Sequence, residues 1–289
     1  MGKMNIKSKA QSSKIGIIGV GVLGSYIANK FLKKGYPVFI FDKDEDAVKK
    51  LLEKRAIACS TPKELTEKSD FIFDITPNDI SSRQVWTGKN GILEGATSDK
   101  ILIVSATFSA EWVDKLAKKC KESGFQFFDM CINGGDKGIN FLCGGDKVLL
   151  KEITPVLRAA AAKILYFGPA GQGTRYKLIL NFLQAVHILG FRQAMKIAKY
   201  HKMNMKKVGD ALTKKPGGVL TELAWEIYQE GLDETYFKIE LITKDLTYAK
   251  KLAEHLDVNL VDSALAEYKK ALENGHAKED WLSVVTLDD

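Results

Sequence analysis

The 289-residue chain is poor in cysteine, histidine and proline, with four Cys, four His and six Pro. Cys59, Cys120, Cys131 and Cys143 form no C-x-x-C pair and adjoin no clustered histidine. Neither a disulfide framework nor a zinc site is therefore expected, and no metal is assigned. Reduced thiols of this kind suit a cytoplasmic compartment. His187, His201, His255 and His276 are scattered without an acid at triad spacing, which removes Ser-His-Asp chemistry. Long apolar runs are missing too: Asn181, Gln184 and His187 break the most apolar stretch well short of the ~20 residues a bilayer requires, so no membrane partner is expected. Residues 1–13 carry lysines but no apolar core of a signal peptide, and are read as a short mobile tail.

What is present is ordinary for a soluble globular protein, 45% hydrophobic and 27% charged. The length allows one large domain or two modest ones. Lys plus Arg outnumber Asp plus Glu by 43 to 36, a net charge of +7. The lysines recur as isolated doublets, such as Lys33-Lys34, Lys118-Lys119 and Lys250-Lys251, rather than as one patch. That is the pattern of solvated helix faces, and no nucleic-acid partner is expected.

Short apolar runs alternate with amphipathic stretches through the first half, the βαβ signature of a parallel sheet covered by helices. Strands are expected at 15–18, 38–41, 71–75, 101–104 and 125–128, with helices at 25–34, 46–54, 81–85 and 110–123. Beyond Gly173 no strand alternation remains, and helices are expected at 175–203, 205–214, 218–229, 239–255 and 260–273. The fold class is thus an α/β Rossmann domain, a doubly wound parallel sheet at 14–168, followed by an all-α helical substrate and dimerisation domain at 169–289. The long helix opening the second half is apolar on most sides and is expected to be a buried central helix or an interface in a homodimer or homotetramer.

Directly after the first strand stands Gly19-Val20-Gly21-Val22-Leu23-Gly24, a G-x-G-x-x-G leading into a helix. Gly19 permits the tight turn, Gly21 lets backbone approach a pyrophosphate, and Gly24 allows close helix–strand packing. Asp42 ends the next strand, where a carboxylate accepts hydrogen bonds from an adenosine ribose and repels a 2′-phosphate. This favours NAD over NADP. The alternative reading is that Asp42 caps the following helix, and Lys43 beside it is compatible with a phosphate.

A second signal is Gly168-Pro169-Ala170-Gly171-Gln172-Gly173-Thr174-Arg175-Tyr176-Lys177, a glycine-rich turn before the long helix with a lysine in its first turn. A cation there opposes the helix dipole at a cost of ~0.3–1 kcal/mol. Asn181 and Gln184 follow at i+4 and i+7, giving a narrow polar stripe on an apolar helix. It reads either as a site or as a snorkelling lysine with amides in interhelical hydrogen bonds. A third signal follows the strand at 125–128: Asp129-Met130-Cys131-Ile132-Asn133-Gly134-Gly135. A polar side chain and two glycines at the carboxyl end of a parallel strand suit a carboxylate ligand, or else form a turn leaving the sheet.

These motifs resemble the β-hydroxyacid dehydrogenases, the 3-hydroxyisobutyrate, tartronate semialdehyde and 6-phosphogluconate dehydrogenase relatives. The resemblance rests on the glycine loop, Trp86–Leu93, Thr107 within Val104-Ser105-Ala106-Thr107, Asp129–Gly135, Gly171–Asn181 and Lys244-Asp245-Leu246. It implies Lys177 as catalytic acid/base with Asn181 orienting it or the substrate, and Asn133, Gly134 and Gly135 holding a substrate carboxylate. The cofactor-binding set is Gly19, Gly21, Val22, Leu23, Gly24, Asp42, Thr76, Pro77, Thr107 and Lys244. Departures from the family pattern are Asn133 for Ser, Leu180 for the first of two Asn, Val104 for Asp, and a short stretch between Gly135 and Gly144.

The implied function is an NAD(P)-dependent oxidoreductase moving a hydride between a nicotinamide cofactor and a small β-hydroxy acid, or reducing the corresponding semialdehyde or keto acid. Lys177 would take or return the hydroxyl proton. The alternative is an NAD(P)-binding sensor or scaffold without turnover, for which Asn133 and Leu180 would mark lost chemistry.

Overall fold

Four-residue runs such as Ile-Gly-Ile-Ile and Ile-Leu-Ile-Val have no polar face to give to water, so they belong in a sheet covered on both sides. In the computed structural model, which describes residues 13–135, 138–214, 218–232, 235, 237–255 and 259–287, they lie at its centre. The chain divides into two compact units, Met1–Lys177 and Leu178–Asp289. Of the expected tail, all but Ser13 lies outside the described residues.

In the first unit β1 (Ile15–Ile18), α1 (Val22–Lys33), β2 (Val38–Phe41), α2 (Glu45–Leu52), β3 (Ile57–Ala58), α3 (Pro62–Lys68), β4 (Phe71–Asp74), α4 (Asp79–Thr87), α5 (Ile92–Gly95), β5 (Ile101–Val104) and α6 (Ala110–Glu122) follow one another. Then come β6 (Gln126–Gly135), β7 (Gly138–Gly144), α7 (Lys147–Leu157) and β8 (Lys163–Gly168). The sheet order is β3-β2-β1-β4-β5-β6-β7-β8. β1, β4 and β5 are buried at every position. All neighbours are parallel except β6 and β7. Alternate strand residues feed two cores, as the two-residue period of a strand requires. Ile15, Ile17, Phe73 and Ile103 meet Phe31 of α1 and Leu157 of α7 on one face. Ile18, Ile72, Leu102 and Val104 meet Trp86 of α4 and Trp112 of α6 on the other.

The five expected strands are present, and the structure adds three. β6 runs on to Gly135 instead of ending near 128: from Asp129 onward it pairs antiparallel with β7, in register from Asp129↔Gly144 to Gly135↔Gly138. The glycines read as a turn are strand residues because a hairpin partner takes up their backbone. β8 then pairs in parallel with β7 and forms one end of the sheet. β3 has only two residues, too short for any periodicity to show.

The second unit is helical: the rest of α8 (Gln172–Tyr200), then α9 (Met205–Lys214), α10 (Gly218–Glu230), α11 (Ile239–Leu252), α12 (Asn259–Glu273) and a 3-10 turn at Trp281–Val285. Ile188 and Phe191 of α8, Trp225 of α10, Ile242 and Leu246 of α11 and Tyr268 of α12 share its core. No helix among the described residues is long and apolar enough to cross a membrane.

The loop after β4 is held by a buried carboxylate. Asp74 Oδ1 accepts from the Thr76 N–H at 2.9 Å and its hydroxyl at 2.7 Å, while Oδ2 accepts from Ser82 Oγ at 2.6 Å and Trp86 Nε1 at 2.8 Å. Ser82 Oγ in turn accepts from Trp112 Nε1 at 2.9 Å, so one network ties α4 and α6 to the strand. Burial raises the Asp74 carboxyl above its ordinary range against these donors. Asp74→Ala orphans buried donors worth ~1–3 kcal/mol apiece. Urea unfolding is expected to show a loss of ~3 kcal/mol or more.

Candidate functional site

Every element of the candidate site in the first unit lies at the carboxyl ends of the parallel strands, where open α/β sheets place ligands. After β1 the chain turns through Gly19 at φ +89°, a conformation that favours glycine. A Cβ there would also meet the Ile75 carbonyl at 2.8 Å. A Cβ on Gly24 would overlap the Gly19 carbonyl oxygen, so α1 can leave the loop this closely only with glycine at 24. Gly21 is different: a Cβ on it would meet nothing within 4 Å, leaving open space above the backbone. Gly21 is also the N-cap of α1, which has no side-chain cap and no acid in its first turn, and Val22 is 71% exposed. An uncapped helix start beside open backbone suits a pyrophosphate.

Asp42, just past β2, accepts from the Val20 N–H through Oδ2 at 2.6 Å and from the Asp44 N–H through Oδ1 at 3.0 Å. The helix-cap alternative for Asp42 falls to its neighbour: Asp44 is the N-cap of α2, accepting from the Asp46 and Ala47 N–H groups. Lys43 reaches Gln84 Oε1 at 2.8 Å. Thr76, with its hydroxyl engaged by Asp74, and Pro77 form the loop after β4. Thr107 is half-buried in the loop after β5.

The chemistry-bearing end of the site is built by β6 against the start of α8. Asp129, Cys131 and Asn133 alternate along β6 and so share one face. They meet positions 171, 174 and 177, which advance by a helical turn each. Asp129 accepts from the Gly171 N–H through Oδ1 at 2.7 Å and from the Thr174 N–H through Oδ2 at 2.6 Å. Cys131 Sγ lies 3.6 Å from Thr174 Oγ1. Lys177 Nζ donates to Asn133 Oδ1 at 3.1 Å, and Asn133 Nδ2 donates to the Gly134 carbonyl at 3.0 Å. The lysine that opposes the helix dipole thus shares its helix start with a carboxylate that favours it. The same capping starts α8 at Gln172, before the expected 175. A Cβ on Gly134, the next residue along β6, would meet nothing within 4 Å. Gly135 is placed only as the last residue of β6.

Asn181 and Lys244 belong to the second unit. Asn181 is buried and donates through Nδ2 to Asp245 Oδ2 at 2.6 Å, and Lys244 Nζ lies 3.0 Å from Asp245 Oδ1. Asp245 therefore couples them, and Lys244 also lies over the Tyr248 ring at 5.6 Å. The sequence reading did not single out Asp129, Asp74 or Asp245 for these roles. For Asp245 a signal existed: a carboxylate on the buried face of α11, among Ile242, Leu246 and Ala249. Among the described residues no group of three or more His, Cys, Asp or Glu is placed to hold a metal ion.

Residues 14–168 match the family model described as the NAD binding domain of 6-phosphogluconate dehydrogenase. Residues 171–287 match that described as NAD-binding of NADP-dependent 3-hydroxyisobutyrate dehydrogenase. The chain is 27% identical to mitochondrial 3-hydroxyisobutyrate dehydrogenase of Rattus norvegicus, covering 96% of this chain and 88% of the relative. It is 28% identical to 3-sulfolactaldehyde reductase of Escherichia coli, covering 94% of each. The crystal structure of 3-hydroxyisobutyrate dehydrogenase from Salmonella typhimurium shares the fold, with a TM-score of 0.82 at 22% identity over 95% of this chain and 99% of that one. The chain belongs to the β-hydroxyacid dehydrogenase family. It is an NAD(P)-dependent oxidoreductase, and nothing in the comparisons supports a sensor without turnover.

Burial raises the Asp129 carboxyl from 3.8 to about 6, against the lowering by the Gly171 and Thr174 N–H groups. A group whose folded pKa is raised in this way binds its proton more tightly in the native state. Its contribution to stability is therefore full below the ordinary carboxylate pKa and is lost as pH climbs through about 6. Unfolding free energies measured across that window should fall with rising pH in the wild type, and Asp129→Asn should flatten the part of the fall that Asp129 causes.

Proposed function

We propose that Lys177 is the general acid/base of a dehydrogenase acting on a small β-hydroxy acid or its semialdehyde. The observation that carries this reading is the hydrogen bond from Lys177 Nζ to Asn133 Oδ1, made where β6 meets the start of α8. Neutral Lys177 takes the proton from the substrate hydroxyl during oxidation, and its ammonium returns one to the carbonyl oxygen during reduction. A bound nicotinamide supplies the hydride acceptor or donor. Asn133, Gly134 and Gly135 hold the substrate carboxylate. The orienting role of Asn181, and the place of Lys244 near the nicotinamide, follow from the family motifs. The relatives' names, 3-hydroxyisobutyrate dehydrogenase and 3-sulfolactaldehyde reductase, support a short substrate bearing an acid group.

The open backbone at Gly21 and the uncapped start of α1 support a dinucleotide held by Gly19, Gly21, Val22, Leu23 and Gly24, with Thr76, Pro77 and Thr107 in the adjoining loops. Asp42 supports NAD over NADP, because its carboxylate accepts from ribose hydroxyls and repels a 2′-phosphate. A hydride-transfer assay over short 3-hydroxy acids, run with NAD and with NADP, tests both points. Lys177→Ala should lower turnover by about 10²–10⁴-fold while reduced cofactor binds with nearly unchanged affinity. Near-normal turnover in the variant would sink the assignment, and faster turnover with NADP would sink the NAD preference.

A homodimer or homotetramer is the second part of the reading. On α8, Ile179, Leu183 and Ile197 are each at least half exposed, an apolar surface that a second copy would cover. Light scattering should give a multiple of 32.1 kDa, with Leu183→Glu moving the mass towards that of one chain. A monomeric wild type would overturn it. Four buried thiols support a reducing, cytoplasmic setting.

A further inference from the structure

The far end of the sheet carries a second charged feature, separate from the strand ends described above. β8 is the terminal strand of the sheet, so among the described residues one of its backbone edges has no strand beside it. Along it runs a groove of about 450 Å³ between α7 and β8. Four cations line it, Lys147, Lys151 and Arg158 from α7 and its C-cap together with Lys163 from β8, and no carboxylate does. All four are exposed, and none makes an ion pair among the described residues. Elsewhere on the chain helix lysines find acids one turn away, as in Lys68–Glu64, Lys115–Glu111 and Lys206–Asp210. The groove has an apolar floor, with Leu150 and Ile164 among its lining residues, and Lys147 Nζ lies 5.6 Å from the centre of the Tyr166 ring.

The length of the row of charges on α7 matches a short strand. Lys147, Lys151, Thr154 and Arg158 fall at i, i+4, i+7 and i+11, one face of the helix. At ~1.5 Å rise per residue this row is ~16 Å long. Six residues of β-strand at ~3.3 Å each reach about as far. A peptide added to the open edge of β8 would lie along the cation row, with every second side chain turned towards it. Edge pairing supplies affinity through main-chain hydrogen bonds, and alternate side chains supply selectivity. We propose that the β8 edge and the α7 cation row form a docking site for an extended acidic peptide with carboxylates at alternate positions, supplied by a partner protein.

The experiment titrates the full chain into a fluorescein-labelled hexapeptide of alternating Glu and Val at low ionic strength, read by fluorescence anisotropy. Binding is expected, with protection of the amides along Lys163–Gly168 from hydrogen exchange. Lys151→Glu combined with Arg158→Glu should weaken it by about tenfold or more, since both cations become repulsive. Hydride-transfer activity should not move, because both side chains are exposed and stand outside the catalytic set, and the melting temperature should fall by no more than the few degrees that an acid at the C-cap of α7 costs. A peptide of equal charge N-methylated at every backbone nitrogen lacks the N–H groups for edge pairing in either register and should bind at least tenfold more weakly. Four results would each overturn the proposal: no binding by the wild type, equal binding by the charge-reversed variant, equal binding by the N-methylated peptide, or tighter binding of a single-stranded oligodeoxynucleotide of the same length.

Discussion

The site depends on one carboxylate. A helix begins with backbone N–H groups that have no partner inside the helix, and at α8 two N–H groups at its start, those of Gly171 and Thr174, are taken by Asp129 from the neighbouring strand. That contact fixes which turn of α8 faces which residue of β6. Once position 171 is opposite 129, position 174 falls near 131 and position 177 near 133. Lys177 reaches Asn133 because Asp129 has set the register two side chains earlier. The arrangement also answers the electrostatic objection to a lysine in a first turn, since a negative charge sits at the same helix start.

The same device recurs across the strand ends. Asp42 draws the Val20 N–H of the glycine loop towards β2, and Asp74 gathers Thr76, Ser82 and Trp86 around the end of β4. Each carboxylate follows or ends a strand and receives donors from a loop that would otherwise be loosely held. Loops at strand ends carry function because they are free of the ladder, and for that reason they need separate anchoring. Burial makes the anchors costly: Asp74 and Asp129 both hold their protons more tightly than an exposed carboxylate. The donors around them offset part of that cost, and the returns are fixed positions for Thr76 and for Lys177.

Much of this was legible in the residues, and the gaps have physical causes. β1, β4 and β5 announce themselves as apolar runs because both faces are buried, β2 does so although Phe39 and Phe41 on its second face are half-buried, and the glycine loop is legible because its strand–turn–helix setting admits few other uses. The hairpin of β6 and β7 was not legible. Gly134 and Gly135 read as a turn because glycine is permissive, and a strand that changes from parallel to antiparallel partners along its length has no local signature. β8 did carry a signal, the apolar run Ile164-Leu165-Tyr166-Phe167, although none of its residues is fully buried. Lys177, Asn133 and Asn181 stood out by residue type and spacing, whereas the aspartates that position them did not. An anchoring carboxylate is defined by what it faces across 42 or 64 positions of sequence, as for Asp129 with Gly171 and Asp245 with Asn181.

Asn133 shows how such a contact bears on specificity. The family pattern has a hydroxyl at this position, and a hydroxyl has one proton to give. An amide has a carbonyl that only accepts and an NH₂ with two donors. Here the carbonyl receives Lys177 and one donor goes to the Gly134 carbonyl. The division leaves the second amide proton for an acid group, and the longer side chain carries it one bond further from the strand. On the proposed reading of the site, an amide in place of a hydroxyl alters both reach and donor count at the substrate carboxylate, and so bears on which acid is accepted.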